Sequence, residues 1–441
     1  MEKHSICLLN DSFPPVIDGV ANVVINYADI IEKRYGHALV VTPAVPGSDD
    51  SAFSFPVLRY PSIDTRKLMG YVTGYPFAPE VFNRVKKDNV ELLHLHCPAT
   101  SALIARQLKE LTGLPLIMTY HTKYDIDIAR LVHGKFLQNS VISAMIQNVN
   151  GCDEVWTVSN GAGENLRSLG YEGEYVVMEN GVDMPQGKAS EPEIAKAVRG
   201  YDLPHVVPLF LFVGRMMWYK GIRIILDALT LLKEEGVPFR MVFIGEGADK
   251  VEIMNYAMEK DLDSVISFAG AINDRDTLKA WYSRADLFLF PSSFDTNGLV
   301  VREAAACSLP SVLIEGSCAA EGITDGRNGF LIEENAKSMA AKLKELCSFP
   351  EAVKKAGENA DRDLYLSWDD AIEKAMCRYE VVLENYRSGL YAHKPTLNDL
   401  ISGIKSSESA AKEKLLSAKL EALRQLEKSR DSVWEYFDRY L

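Results

Sequence analysis

Residues 285–310 read ADLFLFPSSFDTNGLVVREAAACSLP. The run ADLFLF reads as a buried strand, PSSFDTNG as a loop of turn formers, and Leu299 to Cys307 as the helix that follows. A continuous apolar strand passed through a polar loop into a helix is the repeating unit of a parallel sheet covered on both faces. The same stretch sets two carboxylates, Asp295 and Glu303, eight positions apart, one in the loop and one just over a turn inside the helix. Carboxylates accept well from sugar hydroxyls, and the helix start between them suits a phosphate, so one short element could grip a sugar diphosphate along its length. The plainer reading is that Asp295 caps the helix and Glu303 makes a surface ion pair.

The pattern extends outward in both directions. Before it lie VPLFLFVG, a helix over Gly221 to Lys233, FRMVFIG, a helix near Lys250 to Lys260, SVISFAG and a helix over Thr277 to Arg284; after it comes PSVLI. An earlier series runs ICLLN, a helix from Val20 to Arg34, ALVVTP, VELLHLH, a helix from Ser101 to Leu111, LPLIMTY, DEVWTVS and EYVVME. Two doubly wound halves follow one another, and ligands in such sheets bind at the carboxyl ends of the strands. The polar stretch PQGKASEPEIAKAVRGYDLPH separates the halves and marks the domain boundary. The expected organisation is α/β, with 1–190 as an N-terminal Rossmann-like domain and 191–369 as a C-terminal Rossmann-like domain. A crossover helix over 370–390 and a helical extension over 391–441 follow.

Composition fits this. With 441 residues, 47 % hydrophobic and 25 % charged, the chain can build two cores. A formal charge of −13 without a basic patch disfavours nucleic acid. The seven cysteines are odd in number and lack paired metal or redox spacing, the N-terminus is not a signal peptide, and no apolar run is long enough to cross a bilayer. A cytoplasmic protein is therefore expected. In the extension, Leu416, Leu420, Leu423, Val433 and Phe437 share a helical face suited to docking on the protein itself or on a second copy, rather than to a membrane surface, because its polar face mixes Glu with Lys instead of being basic.

Several strand ends of the second half run into Gly or polar loops, FVGRMMWYKG, FIGEGA, FAGAIND and FPSSFDTNGLVV among them. Loops that open helices expose backbone N–H groups to an anion, and Arg215 and Lys220 add full charges beside one of them. Two metal-like spacings compete with this. Asp125 and Asp127 form a D-x-D pair, and His94 and His96 alternate on a strand end, where a packed and hydrogen-bonded pair is the expected role.

DTNGLVVREAAACSLP resembles the E-x7-E element of retaining glycosyltransferases of family 4, which have the GT-B fold of two facing Rossmann-like domains. The likeness covers roughly residues 4–385: FPPVIDGVANVV resembles the N-terminal Gly loop, LLHLHCP the HxH-type strand end, TYHT the acceptor-side His, ENGVD the approach to the linker, and VGRMMWYKG the GR-x4-K diphosphate clamp. The resemblance implies that Arg215 and Lys220 bind the donor diphosphate and that the backbone at Gly298 and Leu299, with Asn297 beside them, holds its distal phosphate. It further implies that Glu303 binds the ribose, Ile272 the base through its backbone, and Asp295 the sugar hydroxyls. Gly19 would let the N-terminal loop approach the phosphates and His121 would touch the donor sugar. His121, Asp295, Arg215 and Lys220 form the implied catalytic set, working with retention and without metal, cofactor or enzymic nucleophile.

Two departures stand out: the first acid is Asp295 rather than Glu, and the N-terminal loop has Asp18-Gly19 in place of two glycines. TYHTKYD and GSCAAEGITDGRNGFL are most similar to the branch that glycosylates diacylglycerol at the inner face of bacterial membranes, with UDP-glucose or a related UDP-hexose as expected donor. Although the first 190 residues are net acidic, the loop Leu68 to Phe77 (LMGYVTGYPF) offers apolar contact with a membrane, or else is buried. A soluble sugar acceptor, and an inactive nucleotide-sugar-binding scaffold, are the alternatives.

Overall fold

The structure is a computed structural model that describes residues 3–16, 18–65, 72–132, 134–391, 394 and 396; of residues 126, 127, 130 and 131 it describes the backbone alone. The extension expected over 391–441, and Leu68 to Tyr71 of the expected membrane loop, lie outside the described residues, Tyr391, Lys394 and Thr396 excepted.

Fifteen strands are described. In the first half these are β1 (His4–Leu9), β2 (Gly36–Pro43), β3 (Val57–Tyr60), β4 (Ser62–Ile63), β5 (Thr73–Gly74), β6 (Leu92–Leu95), β7 (Leu116–Tyr120), β8 (Glu154–Thr157) and β9 (Val176–Val177). The second half holds β10 (Leu209–Val213), β11 (Arg240–Ile244), β12 (Ile266–Gly270), β13 (Leu287–Leu289), β14 (Ser311–Ile314) and β15 (Phe330–Ile332). They build a sheet of order β3-β2-β1-β6-β7-β8-β9, a second of order β12-β11-β10-β13-β14-β15, and the small antiparallel pair β4-β5. Both large sheets are parallel throughout, and their apolar runs, such as LFLFV of β10, are buried on both faces.

Both orders reverse direction once, between β1 and β6 in the first sheet and between β10 and β13 in the second. Connections leave the adjacent strands in opposite directions there and open a crevice at their carboxyl ends. The conspicuous sequence elements sit at these two points: the loop to Gly19 follows β1, His96 follows β6, Gly214 to Lys220 follow β10, and Asp295 to Glu303 follow β13.

Cores lie on both faces of the first sheet and around the second. The last described helix, Trp368–Arg387, packs Ile372, Met376 and Tyr379 against β1 and Trp156 of the first sheet, so the chain returns to the domain in which it began. The two crossings lie side by side: Val182 N–H donates to Leu366 O at 3.0 Å, and Gly181 has no room for a side chain against the Trp368 backbone. The polar stretch read as a boundary contains a helix, Glu191–Ala197, started by a capping box of Ser190 and Glu193. Ala197 and Val198 pack on the core of the second sheet, so this stretch is built structure rather than a bare linker.

Candidate active site

The decisive geometry lies at the reversal point of the second sheet. The loop after β10 ends at Gly221, whose φ is +77° and whose added Cβ would fall 1.9 Å from Pro291 O. Only glycine lets this loop lie against the loop after β13. Contact of the two loops brings Lys220 Nζ to 2.6 Å from Asp295 Oδ1, while the Ser292 hydroxyl donates to Oδ2 at 2.6 Å. Lys220 is buried, with its ammonium 5.7 Å from the Phe290 ring centroid. Arg215 is exposed and pairs with no carboxylate among the described residues; its guanidinium stands 6.0 Å from the Tyr219 ring centroid.

Asp295 therefore does not cap the following helix, Leu299–Ala306. That helix starts from Gly298 in the left-handed region (φ +59°), and no side chain caps it. Its first turn, with Leu299 half-buried, presents backbone donors toward the crevice. Asn297 is buried; its Oδ1 accepts from Arg302 Nε at 3.4 Å and its Nδ2 has no partner among the described residues. A buried polar atom without a partner calls for a reason, and a ligand at this helix start supplies one.

Glu303 is engaged in an ion pair, as the plainer reading of the sequence expected. Arg275 Nη2 donates to its Oε1 at 2.8 Å, and the fully buried Tyr282 hydroxyl donates to Oε2 at 3.0 Å. Both partners sit on the helix Arg275–Arg284 and, with Ser292, were not legible as site residues in the sequence. Ile272, two residues past β12, is half-buried against the core.

From the first domain, Asp18 Oδ1 accepts from Ala21 N–H at 2.7 Å and caps the helix Gly19–Ile30. Its charge is turned back onto that helix, which answers how an acid can precede Gly19 in this loop. A Cβ at Gly19 would meet no atom within 4 Å, so packing does not demand glycine there. Gly19 and Asn22 instead border a cleft of about 100 Å³ that Asp183, Arg275, Leu299 and Glu303 close from the linker and the second domain.

His121 is buried at the end of β7. Its Nε2 lies 3.0 Å from His96 Nδ1, the rings are stacked, and burial lowers its pKa to about 3, so the imidazole is neutral. His121 Nδ1 and His96 Nε2 have no partners among the described residues. His94 bonds Tyr379 Oη at 2.6 Å and Thr119 Oγ1 at 2.7 Å. The expected packed pair is thus three histidines deep, with His121 joined to His96 in a way their spacing did not suggest. Among the described residues no three His, Cys, Asp or Glu side chains converge in an arrangement that could hold a metal ion. Asp125 is near Asn165 (3.4 Å), and the side chain of Asp127 lies outside the described residues.

The two domains also meet directly. Thr296 Oγ1 donates to His121 O at 2.7 Å, Ser159 Oγ donates to Thr296 O at 2.5 Å, and Glu321 accepts from the N–H groups of Asn160 and Gly161 at the start of a first-domain helix. The loop carrying Asp295 is thereby fixed against the strand end carrying His121. A larger cavity of about 460 Å³, lined by Arg106, Lys109, Asp153, Tyr386 and Lys394 among others, lies at the opposite, amino-terminal edge of the first sheet. Its cations are already engaged: Lys109 is paired with Asp153 at 2.6 Å and Arg106 is bonded to the carbonyls of Gln147 and Thr396.

Two facing Rossmann-like domains, each with a parallel sheet that reverses once, define the GT-B architecture, with Lys220, Arg215 and an uncapped helix start at the reversal point of the second. Comparison with known proteins agrees. Residues 17–185 match the family described as Glycosyltransferase Family 4, and residues 195–363 match Glycosyl transferases group 1. The chain belongs to glycosyltransferase family 4 and is a glycosyltransferase. It is 23 % identical over 370 residues to an alpha-monoglucosyldiacylglycerol synthase of Acholeplasma laidlawii, covering 81 % of this chain and 91 % of that one. It is 24 % identical over 338 residues to a GDP-mannose-dependent alpha-mannosyltransferase of Corynebacterium glutamicum, covering 74 % and 76 %. Among solved structures, Anabaena HepE in complex with UDP and glucose superposes with a TM-score of 0.66 at 18 % identity, covering 86 % of this chain and 99 % of that one.

Proposed function

We propose that this glycosyltransferase moves a hexose from a nucleoside diphosphate sugar, UDP-glucose or a related UDP-hexose, to a hydroxyl of a membrane lipid such as diacylglycerol, with retention of configuration. The observation that carries the donor half is the Lys220–Asp295 contact at the reversal point, flanked by Arg215 and the uncapped start at Gly298. As the donor breaks, charge develops on the leaving diphosphate oxygen. The fixed cation at Lys220, the charge of the exposed Arg215 and the backbone donors at Gly298 and Leu299 lower that barrier. Lys220 has N–H donors beyond the one given to Asp295, so it can bridge the diphosphate to the carboxylate that holds the sugar hydroxyls. Glu303 takes the ribose, the backbone at Ile272 the base, and Asn297 a phosphate oxygen.

His121, neutral and buried, offers a hydrogen bond to the sugar rather than a charge. Gly19 leaves room for the phosphates on the first-domain side. The acceptor hydroxyl attacks from the face that the diphosphate leaves, with the leaving oxygen taking its proton, and no side chain acts as nucleophile. In this scheme residues 1–190 form the acceptor domain, 191–369 the donor domain, and 370–390 the helix that ties them.

The lipid half of the proposal is supported by the Acholeplasma relative and by exposed apolar side chains in the first domain. Phe136, Leu137 and Val141 are exposed on the helix Lys135–Asn150, which follows the His121 strand end, and Tyr75 and Phe77 are exposed at the end of the loop expected to touch a membrane. No described helix is long and apolar enough to cross a membrane, and contact through such an exposed apolar surface is the mode proposed.

The test is transfer from labelled UDP-glucose into a bacterial lipid extract, followed by partition between organic and aqueous phases. Label in the organic phase is expected. Label in a new aqueous product would replace the lipid by a soluble sugar or small hydroxyl compound. Absence of transfer from UDP-, GDP- and ADP-hexoses alike, with nucleotide binding retained, would favour the scaffold reading.

A further inference from the structure

The carboxylate of Glu303 is held from both sides before any ligand arrives. Arg275 and Tyr282 lie seven residues apart on one helix, two turns on the same face, and each gives one hydrogen bond to a different oxygen of Glu303. Tyr282 is fully buried, its ring edge-on to Phe288 at 5.7 Å, so its hydroxyl is immobile. Burial also raises its pKa well above the ordinary tyrosine value, which keeps it a donor across the working pH range. Arg275 is half-exposed at the cleft wall and also lies in the field of Asp183 on the linker. An ionised carboxylate has about four acceptor directions, so two remain after the two donors are served.

We propose that Arg275 and Tyr282 are positioning residues that clamp Glu303 so that its two free acceptor directions meet the vicinal 2′- and 3′-hydroxyls of the donor ribose. The proposal rests on the reading of Glu303 as the ribose acceptor. Without the clamp the carboxylate turns about its own side-chain torsions, and the match to a fixed diol is lost while the charge remains. A residue that merely stabilised the helix would change fold stability and all nucleotide affinities together. The clamp alters selectively the penalty for removing one ribose hydroxyl.

The experiment is calorimetric titration of the full chain with UDP and with 2′-deoxy-UDP, or with GDP and 2′-deoxy-GDP if GDP binds more tightly, for wild type, Tyr282→Phe, Arg275→Gln and Glu303→Gln. A lost hydrogen bond to a charged group makes the deoxy ligand at least about tenfold weaker in wild type. In Tyr282→Phe and Arg275→Gln the ratio falls to about threefold or less. Arg275 is half-exposed, so its variant folds even if the buried one does not. Wild-type ratios in both variants, with a collapsed ratio in Glu303→Gln, would overturn the clamp alone. An unchanged ratio in Glu303→Gln would overturn the ribose reading and the clamp with it.

Discussion

Replacing Lys220 by Met keeps the length of the side chain and removes its ammonium. In the structure that ammonium is 2.6 Å from Asp295 Oδ1, with the lysine side chain 9 % and the aspartate 20 % exposed. Two separable losses follow. In the resting protein Asp295 keeps, among the described residues, only Ser292 as a side-chain partner, a situation between an exposed pair, worth up to about 1 kcal/mol, and a buried pair, whose breaking costs about 3–5 kcal/mol. A destabilisation of about 2 kcal/mol is expected on that scale.

In the transition state the departing diphosphate loses one fixed charged donor, which lowers kcat by about 10²–10³. Asp295→Asn has the opposite profile. It leaves the ammonium free for phosphate, so UDP affinity stays within about threefold of wild type, while transfer falls because the sugar loses its carboxylate. The double variant recovers most of the stability, through a coupling of about 1–2 kcal/mol, and none of the turnover. Initial rates with a labelled donor, UDP titration and thermal unfolding read the three quantities. If Lys220→Met kept more than about a tenth of wild-type kcat, electrostatic support of the leaving group by this residue would be refuted.

Other variants probe the surroundings of the site. Gly298→Ala forces a left-handed residue to carry a Cβ 2.9 Å from that of Ala319, which costs about 1–2 kcal/mol and shifts the helix start, so UDP binding weakens and the melting temperature falls together. The buried Arg302 joins Glu179 (2.6 Å), the Leu364 carbonyl (3.0 Å) and Asn297, tying both chain crossings to the loop after β13. Arg302→Ala is expected to cost about 3 kcal/mol in stability, seen as a lowered thermal midpoint. For His121 the folded pKa of about 3 lies below the ordinary value of about 6.5. Between these values the unfolded chain binds the extra proton, so stability is lost as pH falls from about 6.5 toward 3, by up to about 1.4 kcal/mol per pH unit for this one residue. Thermal midpoints of His121→Asn therefore fall less steeply than wild type below about pH 6, and no break in activity near pH 6.5 arises from His121.

What could be read from the sequence was what local chemistry encodes. Continuous apolar runs such as LFLFV and LIMTY announced interior parallel strands because both of their faces are buried. The edge strand Val57–Tyr60, mostly half-buried, was not read because neither alternation nor an apolar run marks it. The helix Glu191–Ala197 was read only as part of a polar boundary stretch because it buries a single side chain, Ile194, though the Ser190–Glu193 capping box is a local signal that could have found it.

The loop bearing Asp295 and Glu303 was found as a motif, but its partners were not. Lys220 and Asp295 are 75 positions apart and meet only because Gly221 admits Pro291. Arg275 reaches Glu303 across 28 positions, from a helix start that looks like any other solvated first turn. The His96–His121 contact depends on β6 and β7 being neighbours in register, and that is a property of the sheet rather than of either strand.

The central claim is that the donor nucleotide lies at the carboxyl ends of β10 and β13. Hydrogen–deuterium exchange of the full chain with and without UDP tests it most directly. Protection on binding is predicted for residues 214–221, 270–275 and 295–303, with weaker protection at 18–22. Binding that left those segments unchanged and protected another part of the chain would contradict it.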